Sequence, residues 1–94
     1  MRIIGEIKHP KYKISVLRMN EKITIQFEDR LVSQSYTFRD GSGISDLSTA
    51  EQLLTPKFMN KIDTRFSQMN VDYIQALEHL NVKKYNNFDD FDIL

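Results

Sequence analysis

The chain predicts an α+β fold: a four-stranded antiparallel β-meander followed by a short helix and one long C-terminal helix packed on one sheet face. Apolar and polar residues alternate at period two through residue 38, Asp40-Gly41-Ser42-Gly43 breaks that pattern, and from Phe58 onward apolar residues recur at steps of three and four. The 94 residues are 40% hydrophobic and 28% charged, which suits one soluble domain with a single core. The expected division is a single α+β domain over residues 1–80 and a mobile acidic and aromatic tail over residues 81–94.

Punctuation between the alternating runs places strands near residues 2–7, 12–19, 22–28 and 31–38. A two-residue loop at Asn20-Glu21 sets Ile14 opposite Phe27 and Val16 opposite Ile25, with Lys13 against Glu28 and Ser15 against Gln26 on the other face. A turn at Asp29-Arg30 sets Phe27 against Val32 and Ile23 against Tyr36, with Thr24 against Ser35 and Gln26 against Ser33 behind them. A slip of one residue would scramble both sets. Turning at Lys8-His9-Pro10-Lys11 puts Ile3, Gly5 and Ile7 on the core face and aligns Glu6, Lys13 and Glu28 in a row of alternating charge. The outer face is then polar and wet, interrupted by Ile4, Leu17, Met19 and Leu31.

The glycines at 41 and 43 end the sheet region. Ser48-Thr49-Ala50-Glu51 has the spacing of a capping box and predicts a short helix through Leu54. Thr55-Pro56 reads as a second cap followed by proline at the first helical position, where its missing N–H costs nothing. Phe58, Ile62, Phe66, Met69, Tyr73, Leu77 and Leu80 then form one stripe, predicting a helix from about Pro56 to Leu80. Such a helix is roughly 37 Å long against about 23 Å for a seven-residue strand, so its last turns should overhang the sheet. The expected core holds Ile14, Val16, Ile25, Phe27, Ile62, Phe66 and Met69.

Composition excludes several chemistries. Without cysteine there are no disulfides, thiolate zinc sites, iron-sulfur clusters or cysteine nucleophiles, in keeping with a cytoplasmic location. Charges at Arg2 and Glu6 interrupt the amino terminus, so neither a signal-peptide core nor a membrane span is expected, and the mature protein should start at Met1. Thirteen basic and thirteen acidic side chains cancel overall. Through Lys22, however, Arg2, Lys8, Lys11, Lys13, Arg18 and Lys22 stand against only Glu6 and Glu21, an excess of four positives that the remaining residues balance.

No residues in the sequence assemble into a catalytic set. His9 suits an exposed turn before Pro10, and His79 suits the negative end of a helix dipole. Neither has further ligands at metal-binding spacing. Gly41-Ser42-Gly43 lacks the lysine and third glycine of a phosphate-cradling loop and reads as a joint. Glu6 and Glu28 flank a lysine on a solvated face, where carboxylates stay ionised. The expectation is therefore a non-enzyme with no cofactor, no metal and no small-molecule substrate.

The segment Asn87-Phe88-Asp89-Asp90-Phe91-Asp92-Ile93-Leu94 sets four large apolar groups among three acids. It is similar to the acidic C-terminal tips of single-stranded DNA-binding proteins, which recruit partner proteins; the likeness covers eight residues and lacks their closing proline and phenylalanine. It implies a docking peptide. Packing of Phe88 and Phe91 back onto the overhanging helix is the other reading of the same residues. A second likeness covers more of the chain. Met1-Arg2-Ile3-Ile4-Gly5-Glu6-Ile7-Lys8-His9-Pro10, then Met19-Asn20, Phe27-Glu28 and Phe66-Ser67-Gln68-Met69, resemble a group of small uncharacterised bacterial proteins over roughly residues 1–80. Those are turn and core positions, so the resemblance implies shared boundaries and no activity.

These readings converge on a non-catalytic protein that binds a protein partner, either as an accessory subunit of a larger assembly or as a homodimer. The candidate contacts are Tyr73, Ile74, Leu77 and Leu80 on the overhanging helix and Phe88, Phe91, Ile93 and Leu94 in the tail. The alternative is a nucleic-acid-associated protein in which Lys8, Lys11 and Lys13 touch phosphates, Tyr12 stacks on a base and the acidic tail recruits a partner.

Overall fold

A computed structural model describes residues 1–86, with side chains through Leu80. Four strands, β1 (Arg2–Ile7), β2 (Lys13–Met19), β3 (Lys22–Asp29) and β4 (Val32–Phe38), form one antiparallel sheet in the order β1-β2-β3-β4. Two helices follow, α1 (Leu47–Leu53) and α2 (Pro56–Asn86).

The central hairpin has the expected register: Ile14 pairs with Phe27, Val16 with Ile25, Lys13 with Glu28 and Ser15 with Gln26. Between β3 and β4 the loop is Arg30-Leu31 rather than Asp29-Arg30, and every pair moves by two. Phe27 lies opposite Gln34, Ile25 opposite Tyr36 and Ile23 opposite Phe38. A shift of two preserves the faces: the apolar pairs become Ile25 with Tyr36 and Ile23 with Phe38 in place of Phe27 with Val32 and Ile23 with Tyr36. It also places Leu31 in the loop, 73% exposed.

The first hairpin departs further. Ile7 pairs with Ile14 and Glu6 with Ser15, so the expected row of Glu6, Lys13 and Glu28 does not form. Tyr12 leaves the ladder to bury its ring against Phe66, at a centroid distance of 4.8 Å, and this lengthens the loop. A register irregularity between Ile3 and Gly5 then exchanges two neighbours. Ile4 packs against the core, whereas Ile3, expected inside, is 61% exposed opposite Leu17.

The cap of α1 lies two residues before the expected Ser48. Asp46 is the N-cap, accepting from the Thr49 backbone N–H at 2.9 Å, and Thr49 Oγ1 accepts in return from the Asp46 N–H at 3.1 Å. Arg18 holds the approach to this cap by donating from Nη2 to the Ser45 carbonyl at 2.6 Å. α1 sits close over β1: a Cβ added to Gly5 would lie 2.7 Å from Leu47 Cδ2. Gly41 and Gly43 both have positive φ, 89° and 97°, so the joint after β4 needs the freedom that only glycine gives cheaply.

Thr55 caps α2, its Oγ1 accepting from Phe58 N–H at 3.2 Å, and Pro56 opens it as expected. Along the sheet, Phe58 lies between Phe27 and Tyr36 with centroid distances of 6.2 and 5.6 Å. Gln34 Nε2 donates to the Ile62 carbonyl at 3.1 Å, and Asn70 Nδ2 donates to Asp29 Oδ2 at 3.2 Å. The buried core is Tyr12, Ile14, Val16, Ile23, Ile25, Phe27, Ala50, Ile62 and Phe66, with Met69 half-buried beside it. α2 continues to Asn86, so residues 81–86 extend the helix instead of beginning a tail. The radius of gyration is 18.1 Å, against about 12 Å for a compact chain of this length.

Candidate interaction surface

α2 meets its last sheet partner at Asn70, and every residue from Val71 to Leu80 is exposed. Residues 71–86 therefore project as about 24 Å of helix beyond the sheet. The stripe does not end where the sheet does. Ile62, Phe66 and Met69 lie on the sheet side, and Tyr73, Leu77 and Leu80 follow them at the same helical spacing, now exposed, with none of the described residues packed beneath them. Ile74 borders this face at 54% exposed, Leu77 is 47% exposed and Leu80 is 59% exposed. Val71, also exposed, falls on the far side of the helix at 100° per residue. The loops at the end where α2 leaves are the β1–β2 loop and the β3–β4 loop, the latter bearing Leu31.

These positions are the helical contact candidates read from the sequence: Tyr73, Ile74, Leu77 and Leu80 share one projecting segment. Phe88, Phe91, Ile93 and Leu94 lie outside the described residues.

The basic first hairpin is assembled differently from its sequence reading. Lys8, His9 and Lys13 border an open depression of about 410 Å³, together with Glu6 and Tyr12. Lys11 Nζ lies 3.8 Å from Asp63 Oδ1, and Lys13 lies across the ladder from Glu28. Tyr12 is buried rather than free to stack on a base, with His9 against one side of its ring at 5.1 Å and Phe66 on another. Its hydroxyl donates to Asp63 Oδ1, and burial first, then that bond, pushes its pKa above the usual tyrosine range. Asp63 was not apparent from sequence as the partner of Tyr12, because the two are far apart in the chain and meet only when α2 crosses the sheet.

His9 is held structurally, its Nδ1 accepting from the Lys11 N–H at 3.1 Å, and His79 stands exposed on the projecting helix. Among the described residues no group of three or more His, Asp and Glu side chains is placed to hold a metal ion. Among the same residues no helix is long and apolar enough to cross a membrane. No family model, curated protein or solved structure matches the chain.

Proposed function

We propose that this chain is a non-catalytic, cytoplasmic interaction protein that binds a protein partner, as an accessory subunit or as one half of a homodimer, through the projecting half of α2. The observation that carries this reading is the continuous apolar stripe of Tyr73, Leu77 and Leu80, bordered by Ile74, which stays exposed among the described residues. Soluble proteins seldom leave such a stripe bare, because covering it removes apolar area from water. The apolar residues of the tail, Phe88, Phe91, Ile93 and Leu94, extend the same reading.

Leu77→Glu with Leu80→Glu tests it. The wild-type chain is expected to run as a complex, with itself or with a co-purifying protein, and the double variant as a monomer with an unchanged circular dichroism spectrum. A wild-type chain that stays monomeric at every concentration, and retains no partner on purification, would remove the idea. Phosphate binding by Lys8, Lys11 and Lys13 is the second reading, favoured by their place on one hairpin, where Lys8 and Lys13 border the depression and Lys11 lies beside Asp63. It demands an affinity that falls steeply with salt, which an apolar interface does not.

A further inference from the structure

The two edges of the sheet differ in how they are guarded. Exposed strand edges present unpaired backbone groups and invite another strand, and proteins usually block them with charge, proline or a bulge. β1 carries Arg2, Glu6 and the irregularity at Ile3/Gly5. β4, Val-Ser-Gln-Ser-Tyr-Thr-Phe, contains no charged residue and no proline, and its ladder with β3 runs without a bulge. The turn closing across Asp29 and Val32 fixes the alternation. Val32, Gln34, Tyr36 and Phe38 direct their backbone groups to β3, and Ser33, Ser35 and Thr37 direct theirs outward. Among the described residues no hydrogen bond reaches those outward groups.

We propose that β4 is the pairing edge for a second copy of this chain, joined antiparallel about a two-fold axis at Ser35 to make one continuous sheet. The strand is self-complementary about that point. Ser33 falls opposite Thr37 and Ser35 opposite itself, so all three outward residues exchange backbone hydrogen bonds. Val32 falls opposite Phe38 on the core face, like against like. Gln34 falls opposite the Tyr36 hydroxyl of the second copy, whereas within one chain its Oε1 is buried without a hydrogen-bond partner. Centring on Ser35 also pairs the whole strand, where a neighbouring centre would leave its ends unmatched.

The helices set the sign of the salt dependence. Asp63 faces β2 through Tyr12, so Arg65, two positions on, lies on the other flank of α2, toward β4, and Lys61 borders Gln52 and Leu53 of α1 one turn before it. In the paired form the Arg65 side chains of the two copies approach along the seam. They are exposed and long, so their repulsion is weak and screened by salt. Pairing therefore tightens as salt rises, opposite to what phosphate binding requires.

This pairing goes beyond the α2 surface, and the two are separable by experiment. Sedimentation of the full chain over a concentration series should show a dimer whose dissociation constant rises at least tenfold in Ser35→Lys, which sets two lysines face to face at the axis. Ser35→Pro, which removes an outward N–H and no bond to β3, should do the same. Hydrogen exchange supplies the control for folding. The amides of Ser33, Ser35 and Thr37 should be protected in the wild type and lose protection in Ser35→Lys, while those of Gln34 and Tyr36 stay protected in both. A wild-type monomer, or a dimer indifferent to both Ser35 variants, overturns the pairing. A dimer lost only in Leu77→Glu with Leu80→Glu overturns it while leaving the α2 reading intact. Protection of Ser33, Ser35 and Thr37 only when a different protein is bound overturns it too, because the edge then receives another chain.

Discussion

Tyr12 shows how much one side chain can decide at the residue scale. By leaving the ladder it lengthens the first loop, displaces the expected pairing of Glu6 with Lys13, fills the space beside Phe66 and gives Asp63 a hydrogen-bond donor. Tyr12→Phe keeps the ring and removes the hydroxyl, leaving the half-buried Asp63 carboxylate with only the distant Lys11 ammonium. The expected loss is about 1 to 3 kcal/mol, the penalty of stranding a partly buried acceptor. Urea denaturation should show a lower midpoint at unchanged slope. The pH dependence has a definite sign. The folded-state pKa of Tyr12 is raised, so its contribution is complete below the ordinary tyrosine pKa and is lost as pH climbs through the folded value. The gap in stability between wild type and Tyr12→Phe should hold steady from pH 6 to 9 and narrow above about pH 10. A gap that grows in alkali would mean that the hydroxyl is not donating to Asp63. The residue could not be read this way in advance, because a tyrosine between two lysines in a turn looks exposed, and its acceptor lies on the last helix.

At the scale of elements, the period of the side chains was legible and the loops were not. The central hairpin could be placed from its apolar pairs alone, since Asn20 accepts the positive φ of 57° that a two-residue loop needs. Beyond it the same reasoning fixed faces but not lengths. A two-residue shift in β4 leaves every side chain on its proper face, so pattern alone cannot detect it, and Arg30, also at positive φ (56°), carries no turn signature. The one-residue exchange of Ile3 and Ile4 arises from a bulge that two adjacent isoleucines conceal. The start of α1 was likewise masked by competing caps, Ser48 with Glu51 against Asp46 with Thr49. Asp46 gives a check on which cap is real. The Thr49 backbone N–H first, and its hydroxyl second, hold the Asp46 carboxyl below the usual range. A depressed folded-state pKa contributes stability above the unfolded value and loses it as pH falls through the folded one. The melting temperature of the wild type should therefore fall below about pH 4 more than that of Asp46→Asn, which keeps a capping oxygen without the titration. Equal acid sensitivity in the two chains would place the cap elsewhere.

The whole molecule is shaped by a mismatch of lengths. The sheet, α1 and the first half of α2 close a core around Phe27, Ile62 and Phe66, and α2 then runs on beyond the sheet, exposed from Val71 to Leu80. The overhang was legible because a stripe of that length exceeds any strand in the chain, but the helix was expected to stop at Leu80, where the apolar spacing gives way to Asn81, Lys83 and Lys84. Helical propensity carries it further, since lysine and valine do not break a helix already propagating. If the overhang serves binding rather than folding, a chain ending at Gln75, one turn past Asn70, should keep its fold. In dilute solution its stability should fall by less than about 1 kcal/mol, roughly 4 to 8 °C or less in melting temperature. Its urea slope should also stay nearly constant, because the slope follows the surface exposed on unfolding and residues 76–80 are already exposed in the folded chain. Phe66→Ala marks the other extreme: emptying a core position that is 1% exposed should cost about 3 to 5 kcal/mol, a large share of the roughly 5 to 15 a domain possesses. A chain ending at Gln75 that melts as low as Phe66→Ala would make the projecting helix part of the fold's own support, and the binding role assigned to Leu77 and Leu80 would fall with it.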